Sequence, residues 1–531
     1  MSSFARSMRQ FRWQGMVLIG GIVLACWLCS LGVPVPRWDD GIYKSPGAEL
    51  AQHGRLIVPA AKGFLPQADR VFAAYPPLYQ LAIAGWYLAF GVSLRSSLAF
   101  SFTLHLLGVL GVMAVAGRLV RATMGYHALT TPPGEDIAET VPRPALAQQA
   151  TAILVVAVGL IHLANLSHFD RPEEAALLWI WIEVLIVHGL ATRPGSRRSL
   201  ASGLLLGLAA LTAPWVGVLG VLIVTLRALF TALQPQGAPR LVRWSAMIAH
   251  LALVAVTAAA MAGSWYAVME HVFPGAVSAQ MDATLGFLKG TQFGVSGWEK
   301  LAALGGTLLD NRLQLPAAAV ALAFFAATAA QARSLRVAPL ALAMYGSGAI
   351  GIVVVALARP AAYTYFGATL IVLLPCLGLA LTRDLCGAGT RRRLALATLL
   401  VCTGAAFGDT GRLAVMGRWS PESQKPDRVF AQLRETIPPG QSVAATSTHW
   451  LAFQGRNPWR EVLFAAHDPG EVSRCQWLVL PCGVGQPDFI DRFELVGPVP
   501  SPQPAPQSYG YCLWRRRATN GTDQVGDRPA E

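Results

Sequence analysis

Long apolar runs separated by short arginine-bearing gaps fill the chain as far as residue 411. They occupy 15–33, 97–117, 149–167, 173–190, 199–212, 214–231, 244–266, 313–332, 337–357, 361–382 and 394–411. A spanning helix needs about 20 apolar residues, so the pattern predicts about eleven transmembrane helices. The stretch 199–231 reads as a helical hairpin broken at Pro214. One further apolar stretch, 77–92, is short and opens on Pro76-Pro77, with only a few residues before the next run.

That short stretch decides the topology. If it does not cross, a cytoplasmic N-terminus puts every arginine-rich gap in the cytoplasm, as the positive-inside rule prefers. These gaps carry Arg118 and Arg121, Arg193, Arg197 and Arg198, Arg227, Arg240 and Arg243, Arg333 and Arg336, and Arg383 with Arg391, Arg392 and Arg393. A crossing at 77–92 would turn all of them outward. It is therefore read as a juxtamembrane or re-entrant helix. The first run, preceded by Arg6, Arg9 and Arg12 and lacking a small-x-small cleavage site, reads as an uncleaved signal anchor. The C-terminus is then extracytoplasmic, and 34–76, 267–312 and the tail from 412 lie outside.

The tail changes character. An amphipathic helix is expected at 427–436 and short strands at 442–445, 477–480 and 511–514, punctuated by Pro and Gly. The expected organisation is a transmembrane unit over 1–411, with 34–76 as its first outer loop. A small extracytoplasmic α/β or α+β domain follows over 412–517, then a disordered tail over 518–531.

Composition sharpens this picture. The 531 residues are 54% hydrophobic and 13% charged, against about 25% charged in soluble domains. The formal charge of +13 lies mostly in gaps between apolar runs. It reads as topology and not as a nucleic-acid surface. Of the eight cysteines, Cys26, Cys29, Cys376, Cys386 and Cys402 fall in or beside apolar runs. Cys475, Cys482 and Cys512 are in the tail, where an outside location would allow a Cys475–Cys482 disulfide.

Candidate chemistry begins just past the first run, at Arg37-Trp38-Asp39-Asp40-Gly41-Ile42-Tyr43. Two carboxylates at the lipid–water boundary read either as solvated loop charges or a cap before a helix at 45–53, or as a general base or metal ligand. A polar stretch then leads to Ala74-Tyr75-Pro76-Pro77-Leu78-Tyr79. The order of first span, acidic pair, Tyr43, short helix, polar stretch and Tyr-Pro-Pro-Leu resembles the GT-C superfamily of membrane glycosyltransferases. The likeness is to the protein mannosyltransferase and aminoarabinose transferase type, including bacterial relatives that modify lipopolysaccharide. It covers the architecture from residue 1 to about 411 and implies an all-α polytopic fold. It makes Asp39 the catalytic carboxylate and Asp40 its companion, a position more often Glu in the family.

A second acidic cluster, His168-Phe169-Asp170-Arg171-Pro172-Glu173-Glu174, is also expected outside. Pro172 suits a first helical turn, and the two glutamates suit a positive helix end. Arg171 is the one basic residue at this boundary, able to pair with Asp170 or to bind a phosphate bidentately. The resemblance adds that relatives often carry an Arg-Pro-Glu or acidic motif here, which brings in Glu173. Lys289, in Gly286-Phe287-Leu288-Lys289-Gly290, and Arg359, opening a segment that reaches Tyr363, are further outward-facing candidates. The Arg359–Tyr363 segment resembles the basic-plus-Tyr stretch before a late span in these transferases. Relatives often carry a Lys in the hairpin turn that here reads Leu211-Thr212-Ala213-Pro214-Trp215, so another cation must serve.

No Walker A loop or dinucleotide fingerprint appears, and the cytoplasmic gaps are too short for a nucleotide-binding domain. The expectation is transfer of a hexosyl or pentosyl group from a polyprenyl-phosphate donor to an acceptor hydroxyl outside the cytoplasm. The acceptor is a lipid, a glycan or a protein. Asp39 acts as base, and Tyr43, Arg171, Glu173, Lys289, Arg359 and Tyr363 serve the donor phosphate. No cofactor is strictly required, and Mg²⁺ or Mn²⁺ on Asp39 and Asp170 is compatible with oxygen ligands. The competing class is a polytopic transporter or lipid flippase, which would place more ionisable groups in mid-span.

Overall fold

The computed structural model describes residues 3–33, 40–62, 64–73, 75–130, 171–187, 195–233, 239–288, 339–358, 371–376, 389–419, 425–462, 469–482, 488–499 and 511–517, with single positions 378, 381, 385 and 421. The apolar runs appear as helices. They are α1 (Ser3–Leu31), α4 (Leu94–Thr130), α5 (Pro172–Ile182), α6 (Ser196–Thr212), α7 (Pro214–Leu233), α8 (Arg240–Val272), α10 (Pro339–Ala358) and α11 (Thr390–Trp419). Between them lie α2 (Asp40–His53), α3 (Leu78–Phe90) and α9 (Ala276–Leu288). The expected spans 149–167 and 313–332 lie outside the described residues. Of 361–382, the segment 371–376 is helical.

Among the described residues, Leu94–Leu119, Pro214–Leu233 and Arg240–Val272 are long and apolar enough to cross a membrane. Large apolar side chains stay uncovered on the helices, such as Val256 and Val268 on α8 and Ile19 and Val23 on α1. In water such surface would drive aggregation; against lipid tails it costs nothing. The molecule is a multi-pass membrane protein with a small C-terminal sheet.

Small residues set the helix spacing. On α6, a Cβ at Gly203 would lie 2.5 Å from Thr257 of α8, and one at Gly207 would lie 2.8 Å from Met261. The Gly-x-x-x-Gly stripe lets the two backbones approach closely, a frequent solution where lipid removes the hydrophobic drive. Gly111 does the same on α4, leaving the space that the buried Trp181 of α5 fills. The hairpin expected at Pro214 is present: α6 ends at Thr212, α7 begins at Pro214, and a Cβ on Gly217 would meet Ala210 at 2.7 Å.

The stretch 77–92 contains α3, of 13 residues. At 1.5 Å per residue it is about 20 Å long, less than the ~30 Å of a hydrocarbon core. Gly91 closes it at φ 75°, a conformation that glycine adopts readily, and α4 starts at Leu94. Helix α3 lies against α2, where Gly47 admits Ile83. The helix expected at 45–53 begins earlier, at Asp40, and holds Pro46 inside it. Burial of Tyr43, Lys44, Ser45 and Ala48 against neighbouring segments outweighs the local cost of the proline.

The C-terminal region carries α12 (Pro426–Thr436), α13 (Trp450–Phe453), α14 (Pro469–Ser473) and five strands in the order β2-β1-β3-β5-β4. These are β1 (Val443–Ala445), β2 (Trp459–Glu461), β3 (Trp477–Pro481), β4 (Phe493–Val499) and β5 (Tyr511–Arg516). β1 pairs in parallel with β2 and β3, while β5 runs antiparallel to β3 and β4. Val429, Phe430 and Leu433 form the buried side of α12. Helix α11 runs on to Trp419, past the end of its apolar run at 411.

One cysteine expectation is corrected. The disulfide joins Cys482 to Cys512, with Cα atoms 5.2 Å apart, and Cys475 is free and buried. Pairing of β3 with β5 sets Leu480 opposite Cys512, so Cys482 just past the strand meets its partner across the sheet. Cys475 packs into the apolar cluster under β3 and β4, where burial pushes its thiol up to about 11.

Candidate functional site

Three chain segments meet where α2 and α5 begin. Helix α2 brings Tyr43 three residues after its first position, Asp40. The loop before α3 brings Tyr75, whose hydroxyl lies 2.6 Å from that of Tyr43, with the rings edge to face at 5.0 Å. Tyr75 is stacked on Phe72 at 5.7 Å. The start of α5 brings Arg171, whose guanidinium carbon sits 4.9 Å from the centre of the Tyr43 ring. A cation over an aromatic face is stabilised by the ring quadrupole, by about 2 kcal/mol when desolvated.

Arg171 is only 7% exposed and adopts an extended conformation as the cap of α5, with Pro172 in the first turn as expected. It donates from Nε to Glu173 Oε2 at 3.1 Å and from Nη2 to Glu173 Oε1 at 3.0 Å. This fork-like geometry fixes the plane of the guanidinium. The glutamates expected to serve the helix dipole are thus used more specifically. Glu173 orients Arg171, and Glu174 pairs with His105 of α4 at 3.3 Å, both nearly buried.

Of the residues singled out in the sequence, Tyr43, Arg171 and Glu173 are therefore brought together, and Tyr75 of the Tyr-Pro-Pro-Leu segment joins them. Asp40 is the first residue of α2. Asp39, Asp170, Lys289, Arg359 and Tyr363 lie outside the described residues. Among the described residues no group of three or more His, Cys, Asp or Glu is arranged to hold a metal.

Two features were not read from the sequence. Lys44, beside Tyr43, is fully buried and donates to Ser97 Oγ at 2.7 Å and Ser101 Oγ at 3.1 Å on α4. Its signal in the sequence is a cation four residues after Asp40. The His105–Glu174 pair stands at one end of an apolar groove between α4 and α5. Gly108, Val112, Leu177 and Trp181 line it, with Leu374 from the 371–376 helix. A lone His in an apolar run was the available clue.

The C-terminal domain completes the surroundings. The side chains of Ser447, Trp450 and Trp459 pack on the backbone of Gly41, one residue after the acidic pair. Apolar residues of α2, α3, the 56–72 segment and the C-terminal sheet share a single core.

No protein-family description and no curated protein sequence matches the chain. Solved structures do. ArnT from Cupriavidus metallidurans, in crystals with undecaprenyl phosphate, superposes with a TM-score of 0.58 at 14% identity over 96% of this chain and 98% of that one. Its apo form gives the same score over 95% and 98%. The oligosaccharyltransferase AglB from Archaeoglobus fulgidus, in complex with an inhibitory peptide and a dolichol-phosphate, gives 0.51 at 13% identity over 88% of this chain and 69% of that one. The helical arrangement and the C-terminal sheet of this chain thus share the fold of these solved structures.

Proposed function

We propose that the chain is a membrane glycosyltransferase that moves a sugar from a polyprenyl phosphate to an acceptor hydroxyl on the extracytoplasmic side, with inversion at the anomeric carbon. The observation that carries this reading is the meeting of Arg171, Tyr43 and Tyr75 at the first turn of α2, directly after the acidic pair. Undecaprenyl phosphate in the ArnT structure and dolichol-phosphate in the AglB structure support the donor class.

In this mechanism Asp39 takes the proton of the acceptor hydroxyl as its oxygen attacks the anomeric carbon. The bond from that carbon to the phosphate oxygen breaks, and the polyprenyl phosphate leaves as an anion. A leaving group of this kind needs charge stabilisation more than a proton. Arg171, aimed by Glu173 and by the Tyr43 ring, supplies it, with Lys289, Arg359 and Tyr363 as further candidates. The groove between α4 and α5 suits the apolar chain of the donor. A divalent cation held by Asp39 and Asp170 would add to the charge on the phosphate side.

Placement outside the cytoplasm, with the N-terminus inside and residues 412–517 forming an outer domain, rests on the arginine distribution. The Cys482–Cys512 bond supports it independently, because disulfides persist in oxidising compartments. The test compares the masses of envelope glycolipids and glycoproteins from cells with the gene, without it, and with Asp39→Asn. A sugar-sized mass increment should appear with the wild type and fall by about 10²–10⁴-fold in the variant, the range for a general base. Undiminished product from the variant removes Asp39 from that role.

A further inference from the structure

The grip of the C-terminal domain on α2 has a direction. Helical residues are offset by about 100° around the axis, so Gly41, Glu49 and Gln52 fall within about 80° of one another. Tyr43 lies about 200° from Gly41 by the same count. The first set is the face the domain touches. A Cβ on Gly41 would lie 3.1 Å from Ser447 Cβ, from Trp450 Cβ and from Trp459 Cη2. At the other end of the helix, Gln454 Nε2 donates to Glu49 Oε1 at 2.9 Å and to Gln52 Oε1 at 3.4 Å. Ser447 and Trp450 are fully buried, Ser447 donates to the buried Glu461, and Arg460 holds the Pro59 carbonyl at 3.1 Å. The touching surface is itself rigid.

We propose that the C-terminal domain is a rotational clamp on α2, and that Gly41 is a positioning residue for transfer. Residues 447–454 and Trp459 hold one face of the helix at both ends, which aims Tyr43 on the opposite face at Arg171 and fixes the backbone of Asp40 at the first position of α2. The inference rests on the transferase reading above. A methyl group at position 41 meets three side chains at once, so α2 must shift or turn by a few tenths of an ångström. That displaces Tyr43 relative to Arg171 while leaving the helix formed.

The experiment uses the full chain in cells and, purified, in lipid nanodiscs. Gly41→Ala should reduce the envelope product about tenfold, since small misplacements of reacting groups are costly. Undecaprenyl phosphate binding, followed by native mass spectrometry, should stay within about twofold. Trp459→Phe in the Gly41→Ala background removes one of the three clashing atoms and should recover activity at least threefold, a rescue that general destabilisation would not give. Gln454→Ala, which loosens only the far end, should lower product about threefold with an unchanged elution profile. Wild-type product from Gly41→Ala, or a loss that Trp459→Phe does not relieve in monodisperse protein, overturns the clamp. A wild-type chain that makes no product overturns the transferase reading and the clamp with it.

Discussion

Helix α5 carries buried charge at both ends, and the two ends are built differently. At the N-terminal end, the outer one in the proposed topology, Arg171, Glu173, Glu174 and His105 lie where the helix starts, beside two tyrosine hydroxyls and an apolar groove. At the C-terminal end, the inner one in the same topology, the helix widens into a π turn over Glu183–Val187. There Glu183 accepts a hydrogen bond from Ser202 of α6 and interacts electrostatically with Arg227 of α7. Arg118 of α4 takes the Leu185 carbonyl that the π turn presents, at 2.7 Å, and Ser199 meets His250 at 2.7 Å. The inner groups come from five different helices and bind one another or the backbone. The outer ones converge on aromatic faces and open space. Buried charge thus ties helices together in one place, and in the other it lines the site proposed for the donor.

Substitutions can break this comparison. The largest effect is expected at the outer end. Arg171→Ala should lower envelope product about 10²-fold, the scale for removing a group that stabilises developing charge. It also leaves Glu173 buried beside no guanidinium, a change of about 3–5 kcal/mol, so Arg171→Lys is the companion variant. Lys keeps the charge but not the fork, and should restore stability more than rate. Should Arg171→Lys work at full rate, the guanidinium geometry is irrelevant and the site reading weakens.

A smaller and opposite pattern is expected at the inner end. Glu183→Gln keeps the shape and the contact with Ser202 while removing the charge. It should lower thermal stability by about 1–3 kcal/mol with product per folded molecule unchanged. If activity disappears while the melting temperature holds, the inner end belongs to the substrate path.

The smallest effect separates the domain from the site in pH profiles. His449, in the C-terminal domain, is fully buried, with Nδ1 3.1 Å from Thr446 Oγ1 and its ring edge-on to Tyr511. Burial depresses its pKa to about 3. The unfolded chain, with an ordinary value near 6.5, therefore binds one more proton than the folded one between the two values. Stability rises with pH in that window and is lost as pH falls from about 6.5 towards about 3, by ~1.4 kcal/mol per unit. His449→Phe should flatten the acid limb of an unfolding curve. If it leaves that limb unchanged, the acid sensitivity belongs to groups elsewhere, those of the outer cluster included.

The sequence disclosed the parts with long periods and withheld those set by tertiary contact. Apolar length alone located α1, α4, α6, α7, α8, α10 and α11, and Pro214 marked its hairpin. Tyr43, Arg171 and Glu173 were singled out from their neighbourhoods and do come together, although Asp39, Lys289, Arg359 and Tyr363 fall outside the described residues. β2 is three residues long and follows Pro458, and β4 contains Gly497 and Pro498. Neither reads as a periodic run, because three residues are too few to show alternation and the Gly-Pro pair interrupts the other. Cys512 became the partner of Cys482 through strand register, which spacing along the chain does not reveal. Lys44 was hidden because its partners, Ser97 and Ser101, lie on a helix distant from it in sequence.

The bond between Cys482 and Cys512 also bears on how the molecule is made. Chain synthesised in a reducing translation mixture would emerge with both thiols free, its β3–β5 corner held by backbone pairing alone. Material destined for crystals or assays needs an oxidant, or passage through an envelope that provides one, before the cap over α2 can be taken as native.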